Sequence, residues 1–298
     1  MKASSFQLVG AHHAESFSDD VRPCRRRRIR AATALAGLLF ALIVTACLFS
    51  DELARHDPDI FHLGFVDHAP DAEFWFGTDS LGRDIYSIIW RGCRASLAVG
   101  LLSTAVIAVL GLGYGCASGM ASDVADAAMM RVVELCQSVP RLLSQILLLS
   151  LMGTPDILEL SLVIGVTGWF ALARMVRGEV RQIRGSDYLL AARCMGASFF
   201  RILRRHLIPN VMSAVLFMIV SSVSTGMIME ATLSFIGLGL PVDVVSLGSM
   251  LALADKALLL NTWWVIVFPG IFLMVILLCL TVLGQAFRRI RERGPSNL

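Results

Sequence analysis

Lysine is nearly absent. Lys2 and Lys256 are the only two, so all but two of the 26 basic residues are arginine. Neither lysine ends a glycine-rich turn or precedes Ser or Thr, and a phosphate-cradling loop needs both the turn's backbone N–H groups and that lysine. ATP, if it drives this protein, is therefore bound by another chain. Charge is scarce as well: 16% of the 298 residues are charged, where a soluble domain usually carries about a quarter. With 56% hydrophobic residues and a mean hydropathy of +0.71, several windows exceed the roughly 18 apolar residues that mark a membrane span. The seven cysteines form no CxxC pair and mostly lie in apolar runs. They read as buried small hydrophobes, neither a disulfide framework nor a metal site. No nucleophile, base or metal constellation can be assembled, so no enzymatic activity and no cofactor are expected.

The arginines orient the chain. Residues 1–30 read as a cytoplasmic basic tail, with six arginines between Arg22 and Arg30 set against a first span at 31–50. A signal peptide competes, because Val44-Thr45-Ala46-Cys47 resembles a lipoprotein cleavage box. The long polar leader and the length of the apolar core oppose it. The arginine block could also suggest nucleic acid, but beside a span it reads as a cytoplasmic anchor, with no nucleic-acid partner. Residues 51–92 are acid-rich and are placed outside. The transmembrane core is 93–285, and 286–298, with Arg288, Arg289, Arg291 and Arg293, is a cytoplasmic tail.

Within the core the expected spans are Ala95–Ala117, a third beginning near Asp126 and kinked at Pro140, Ile157–Val176, Val211–Met229 and Trp263–Leu283. Trp263 and Trp264 are expected at the membrane interface. The result is an all-α integral membrane protein with six transmembrane helices and both termini inside. Between the fourth and fifth spans, residues 177–210 form an arginine-dense cytoplasmic loop. Ser186 is placed to cap a helix there, Tyr188, Leu190, Ala191 and Ala192 lie on it, and Gly196 ends it. A second short helix then runs to Pro209. Physically this is either an amphipathic element on lipid or one inserted in a partner's groove.

Ala191-Ala192, Gly196 and Pro209 match the spacing of the EAA loop of ABC importer permeases, although Leu190 stands where the family usually has Glu. Two further segments resemble the peptide and nickel branch of that family: Phe76-Gly77-Thr78-Asp79-Ser80-Leu81-Gly82-Arg83-Asp84, and Glu230-Ala231-Thr232-Leu233-Ser234-Phe235-Ile236-Gly237-Leu238-Gly239. The chain departs from the family at Ser246-Leu247-Gly248 and at Gly284-Gln285. The resemblance, which covers about residues 30–285, implies a type I ABC importer permease fold with cytoplasmic coupling helices. It implies a C-type subunit in the bacterial inner membrane, paired with a second permease subunit, two ATP-binding subunits and an extracytoplasmic solute-binding protein. The cargo it implies is a peptide first, and nickel or a metal chelate second.

Other residues invite roles of their own. Asp79, Arg83 and Asp84 can cluster around a turn that Gly77 and Gly82 permit, either as a docking surface or as a self-contained cap. His56, His62 and His68 lack the carboxylate or cysteine spacing of a metal site. Glu230, with Ser234 one turn on, lies in an apolar stretch and should face protein or water, so both are candidates to line a translocation path. A self-sufficient ion-coupled secondary transporter is the alternative reading. It would need mid-span ionisable residues, for which Arg131, Glu134, Arg141, Glu159 and Glu230 are the candidates.

Overall fold

A computed structural model describes residues 23–58, 60–62, 64–185, 208–241 and 243–291. Among the described residues the regular elements are all helices, with a single isolated bridge, Thr78 to Asp84, as the only β pairing. The helices are α1 Pro23–Leu48, α2 Ser50–Leu53, α3 Ile85–Met120, α4 Asp123–Ser138, α5 Arg141–Met152, α6 Ile157–Val166, α7 Phe170–Arg184, α8 Ile208–Phe235, α9 Leu247–Leu251, α10 Ala254–Leu260 and α11 Trp264–Arg291. Four of them, α1, α3, α8 and α11, are each long and apolar enough to cross a membrane. Two bent pairs, α4 with α5 (78°) and α6 with α7 (50°), bring the number to six.

The ends of these helices follow from local chemistry. Asp84 caps α3 by accepting from Tyr86 N, and Ser122 caps α4 by accepting from Ala125 N. Asp156 and Glu159 form a reciprocal capping box at the start of α6, satisfying two otherwise orphaned groups. The kink expected at Pro140 is a full break, because proline cannot donate to the preceding turn and clashes with it.

Several expected boundaries move. α1 already begins at Pro23, inside the arginine block. α3 begins at Ile85 rather than Ala95, so the outer loop ends at Asp84 instead of residue 92. At 36 residues it is about 54 Å long, well beyond the roughly 30 Å hydrocarbon layer. The span expected over Ile157–Val176 is broken at Thr167-Gly168-Trp169, and Arg177, Arg181 and Arg184 lie on helix α7 rather than in a loop. Pro209 stands in the first turn of α8, where its fixed φ and missing N–H are tolerated.

α3 is the central post. Gly111, Gly115 and Gly119, spaced by one turn, face α7 so closely that an added Cβ would come within 2.6–2.8 Å of Leu172, Ala173, Val176 or Val180 atoms. Small residues at such spacing let two helix backbones approach in lipid, where packing rather than water exclusion drives association. Ile107 and Cys116 of α3 continue this seam to Val176 and Val180 of α7 and to Val211 and Val215 of α8. On the other side, Ala95 and Val99 meet Leu149 of α5, Leu160, Val163 and Ile164 of α6, and Leu233 of α8. α1 and α11 close the bundle through Ile43, Cys47, Ile276 and Leu280.

Candidate functional site

Four constellations carry the polar chemistry of the described residues. The first sits at the start of α3, where positive φ at Gly77 (75°) and Gly82 (74°) turns the chain sharply. A Cβ would stand 2.6 Å from His68 O at Gly77 and 2.5 Å from His62 O at Gly82, so only glycine fits either corner. Inside the turn, Asp79 Oδ1 accepts from Leu81 N and Arg83 N at 2.9 Å each. Its Oδ2 takes Arg83 Nε and Nη2 at 2.8 Å. Thr78 Oγ1 donates to Phe65 O and accepts from His68 N, and Thr78 O accepts from Trp264 Nε1 at 3.2 Å. Asp84 receives Ser87 Oγ at 2.6 Å and meets His56 Nδ1 at 3.2 Å.

Asp79 and Arg83 are only 1% and 9% exposed. The charges of the motif thus point inward and neutralise one another, giving a cap that locks the loop onto α3 and α11. Trp264, expected at the interface, is 8% exposed and belongs to this cap, whereas Trp263 is 53% exposed. His56, His62 and His68 gather around Phe74, with ring centroids 4.9, 5.5 and 6.2 Å from it.

The second constellation surrounds Glu230. Its Oε1 accepts from Ser234 Oγ (2.8 Å) and Ser246 Oγ (2.6 Å), and its Oε2 from Ser96 Oγ (2.8 Å). Ser96 Oγ in turn accepts from Leu247 N. Glu230 is fully buried and Ser234 nearly so. In this structure the two residues expected along a translocation path face a knot of serines that ties α8 to α3 and to the cap of α9. The Ser246 segment, where the chain departs from the usual family pattern, supplies one of these donors.

The third lies at the opposite end of α3. Asp126 accepts from Arg177 Nε and Nη2 and from Ser118 Oγ, each at 2.5 Å, and pairs with Arg181 at 3.0 Å. Arg184 Nη1 donates to Ala121 O at 2.7 Å. The last two turns of α7 are thereby fastened to the α3–α4 corner, immediately before the loop that carries the EAA-like residues. Ser186, Tyr188, Leu190, Ala191, Ala192 and Gly196 lie outside the described residues.

The fourth was not singled out from sequence as a site. Where both bent pairs break, a cavity of about 570 Å³ opens, lined among others by Gln137, Arg141, Ser144, Thr167, Phe170 and Arg174. The remaining ionisable residues weighed for ion coupling are placed otherwise. Arg131 and Glu134 pair at 2.8 Å on an exposed face of α4, and Glu159 serves the α6 capping box.

Residues 109–294 match the family of binding-protein-dependent transport system inner membrane components. The chain belongs to this family. It is similar to the dipeptide transport system permease DppC of Bacillus subtilis (strain 168), 35% identical over 88% of this chain and 82% of that protein. The oligopeptide permease OppC of the same organism is 33% identical over 86% and 83%. The probable D,D-dipeptide permease DdpC of Escherichia coli (strain K12) is 29% identical over 90% and 93%. In fold, the chain resembles the inward-facing MetNI methionine ABC transporter, with a TM-score of 0.56 and 18% identity over 68% of this chain and 95% of that one. An amino acid ABC transporter solved with histidines gives a TM-score of 0.51 at 17% identity over 68% and 94%. The fold is that of an ABC importer permease in the inner membrane, and the function is that of a permease subunit. Family membership decides between the two transport mechanisms that the sequence left open.

Proposed function

We propose that this chain forms half of the translocation pathway of an ATP-driven importer of short peptides. In this reading it pairs with a second permease subunit, two ATP-binding subunits and an extracytoplasmic solute-binding protein. The observation that carries the peptide assignment is its similarity to a dipeptide permease at 35% identity over 88% of the chain. In the same reading the arginine-rich ends and the 186–210 loop face the cytoplasm, and the cap at Gly77–Asp84 faces outward.

Coupling runs through the 186–210 loop to the helices on either side of it. The Asp126–Arg177–Arg181 lock joins α7 rigidly to α3, so a push on the segment from the ATPase moves the central post as well. The test is uptake of radiolabelled dialanine by cells that lack the chromosomal copy of this gene. The wild-type chain should restore uptake. Ala192→Asp, which would place an unpaired charge in the proposed ATPase groove, and Gly196→Val, which puts a β-branched residue at the proposed helix end, should reach the membrane at normal abundance yet restore little. The exposed outer-loop change Glu73→Gln should behave as wild type. Normal uptake with both loop variants would overturn the coupling role, and no dialanine uptake by the wild type would overturn the peptide assignment.

A further inference from the structure

The cavity at the two helix breaks has the makings of a solute site. α5 has 12 residues and α6 has 10, so the breaks lie roughly 15–18 Å from the far ends of those helices. That is about half the hydrocarbon thickness. Charge at this depth is costly and normally paired, yet neither Arg141 nor Arg174 has a carboxylate partner among the described residues. Arg141 Nη2 donates only to the Ile164 carbonyl, at 3.1 Å, and its buried Nε has no partner. One turn on, Gln145 is completely buried, gives Nε2 to the Thr167 hydroxyl at 2.9 Å, and leaves Oε1 without a partner.

Space for the Arg141 guanidinium is also specific. It lies over the bare backbone of Gly168, where a Cβ would stand 2.5 Å from Nη2. The first turns of α5 and α7 and the last turns of α4 and α6 all open onto the cavity, so the helix dipoles there largely offset one another and the arginines set its charge. A planar guanidinium with free N–H groups and a second guanidinium form a field that a carboxylate would neutralise. The volume is in the range of small-molecule sites.

We infer that this cavity binds the carboxylate of the transported solute, with Arg141 as its principal contact, Arg174 as a second cation and Gly168 holding the Arg141 position open. Resting on the peptide reading above, the group bound is the free C-terminal carboxylate of the peptide.

Cys136 lines the same cavity and is exposed to it, so its reactivity reports the local field. The full chain in lipid nanodiscs is treated with sulfonatoethyl (anionic), trimethylammonioethyl (cationic) or methyl (neutral) methanethiosulfonate. Modification of Cys136 is followed by mass spectrometry, and each rate is normalised to that reagent's rate with mercaptoethanol. The anionic reagent should be favoured over the cationic one by on the order of tenfold. Arg141→Gln should bring the ratio close to one while leaving the neutral rate unchanged, and Arg174→Gln supplies the same comparison should Arg141→Gln not insert. Dialanine should slow the neutral reagent and dialanine amide should not. Equal rates for the two charged reagents, a ratio untouched by either substitution, or equal protection by dialanine and its amide would overturn the inference. Protection by succinate but not by dialanine would keep the carboxylate site and overturn the peptide assignment.

Discussion

Two arginine-bearing regions of this protein stand in opposite electrostatic states. In the Gly77–Asp84 cap, Arg83 is held by Asp79 through two guanidinium nitrogens, and the carboxylate is further satisfied by backbone N–H groups. At the helix breaks, Arg141 is held by one carbonyl and keeps an unpartnered nitrogen. Arg83 is buried and Arg141 half-buried, but only the first has its charge balanced within the chain. A balanced buried charge is a structural tie, because removing either partner strands the other. An unbalanced one costs stability and persists where something outside the chain completes it.

The comparison makes opposite demands on mutants. The largest effect is expected for Asp79→Ala, which leaves Arg83 buried without its counter-charge and should lower unfolding stability in detergent by about 3–5 kcal/mol. The double change Asp79→Ala with Arg83→Ala should recover part of that loss. A thermal midpoint unchanged by Asp79→Ala would remove the distinction between the regions. Glu230→Ala comes next, since three serine hydroxyls lose their acceptor. A fall of roughly 1–3 kcal/mol is expected, and Glu230→Gln, which keeps one acceptor oxygen, should cost less. If Glu230→Ala instead leaves the melting temperature intact but abolishes uptake, the serine knot is a transport element rather than a tie.

Arg141→Gln should reverse the pattern. Deleting an unpaired charge leaves stability within about 0.5 kcal/mol of wild type or raises it, while dialanine uptake falls. A thermal loss as large as that of Asp79→Ala would make Arg141 one more structural arginine. The smallest effect is expected at Asp71, outside the bundle. Its Oδ1 accepts from Glu73 N and Phe74 N at 2.9 and 2.6 Å. The Phe74 bond, then the Glu73 bond and the nearby His68 and Arg55, lower its pKa below the ordinary 3.8. A carboxyl depressed in the folded state stabilises above its unfolded pKa, and that contribution fades as pH falls through the folded value. Asp71→Asn should therefore lower the neutral-pH melt slightly, and the difference from wild type should shrink away as pH falls below about 4. A difference at pH 3 as large as that at pH 7 would show that charge is not what Asp71 contributes.

By itself the sequence determined that this is a membrane bundle, where its apolar runs lie, and that glycines at 77 and 82 make a turn around Asp79, Arg83 and Asp84. These are local properties: hydropathy over a helix length, a proline that cannot continue a helix, and residue types that fit one backbone shape. The tertiary structure decided which polar residues face one another. Glu230 could be read only as facing protein or water, because the serines that surround it are 134 and 16 residues away at Ser96 and Ser246. Trp264 looked like an interfacial residue until the cap supplied an acceptor for its indole 186 residues distant. The break at Thr167-Gly168-Trp169 left no proline to announce it. Its meaning as a cavity wall depends on a second break, near Pro140, packing beside it. Whether an arginine is a tie or a site depends on whether a carboxylate lies within reach in space, and linear sequence does not fix that distance.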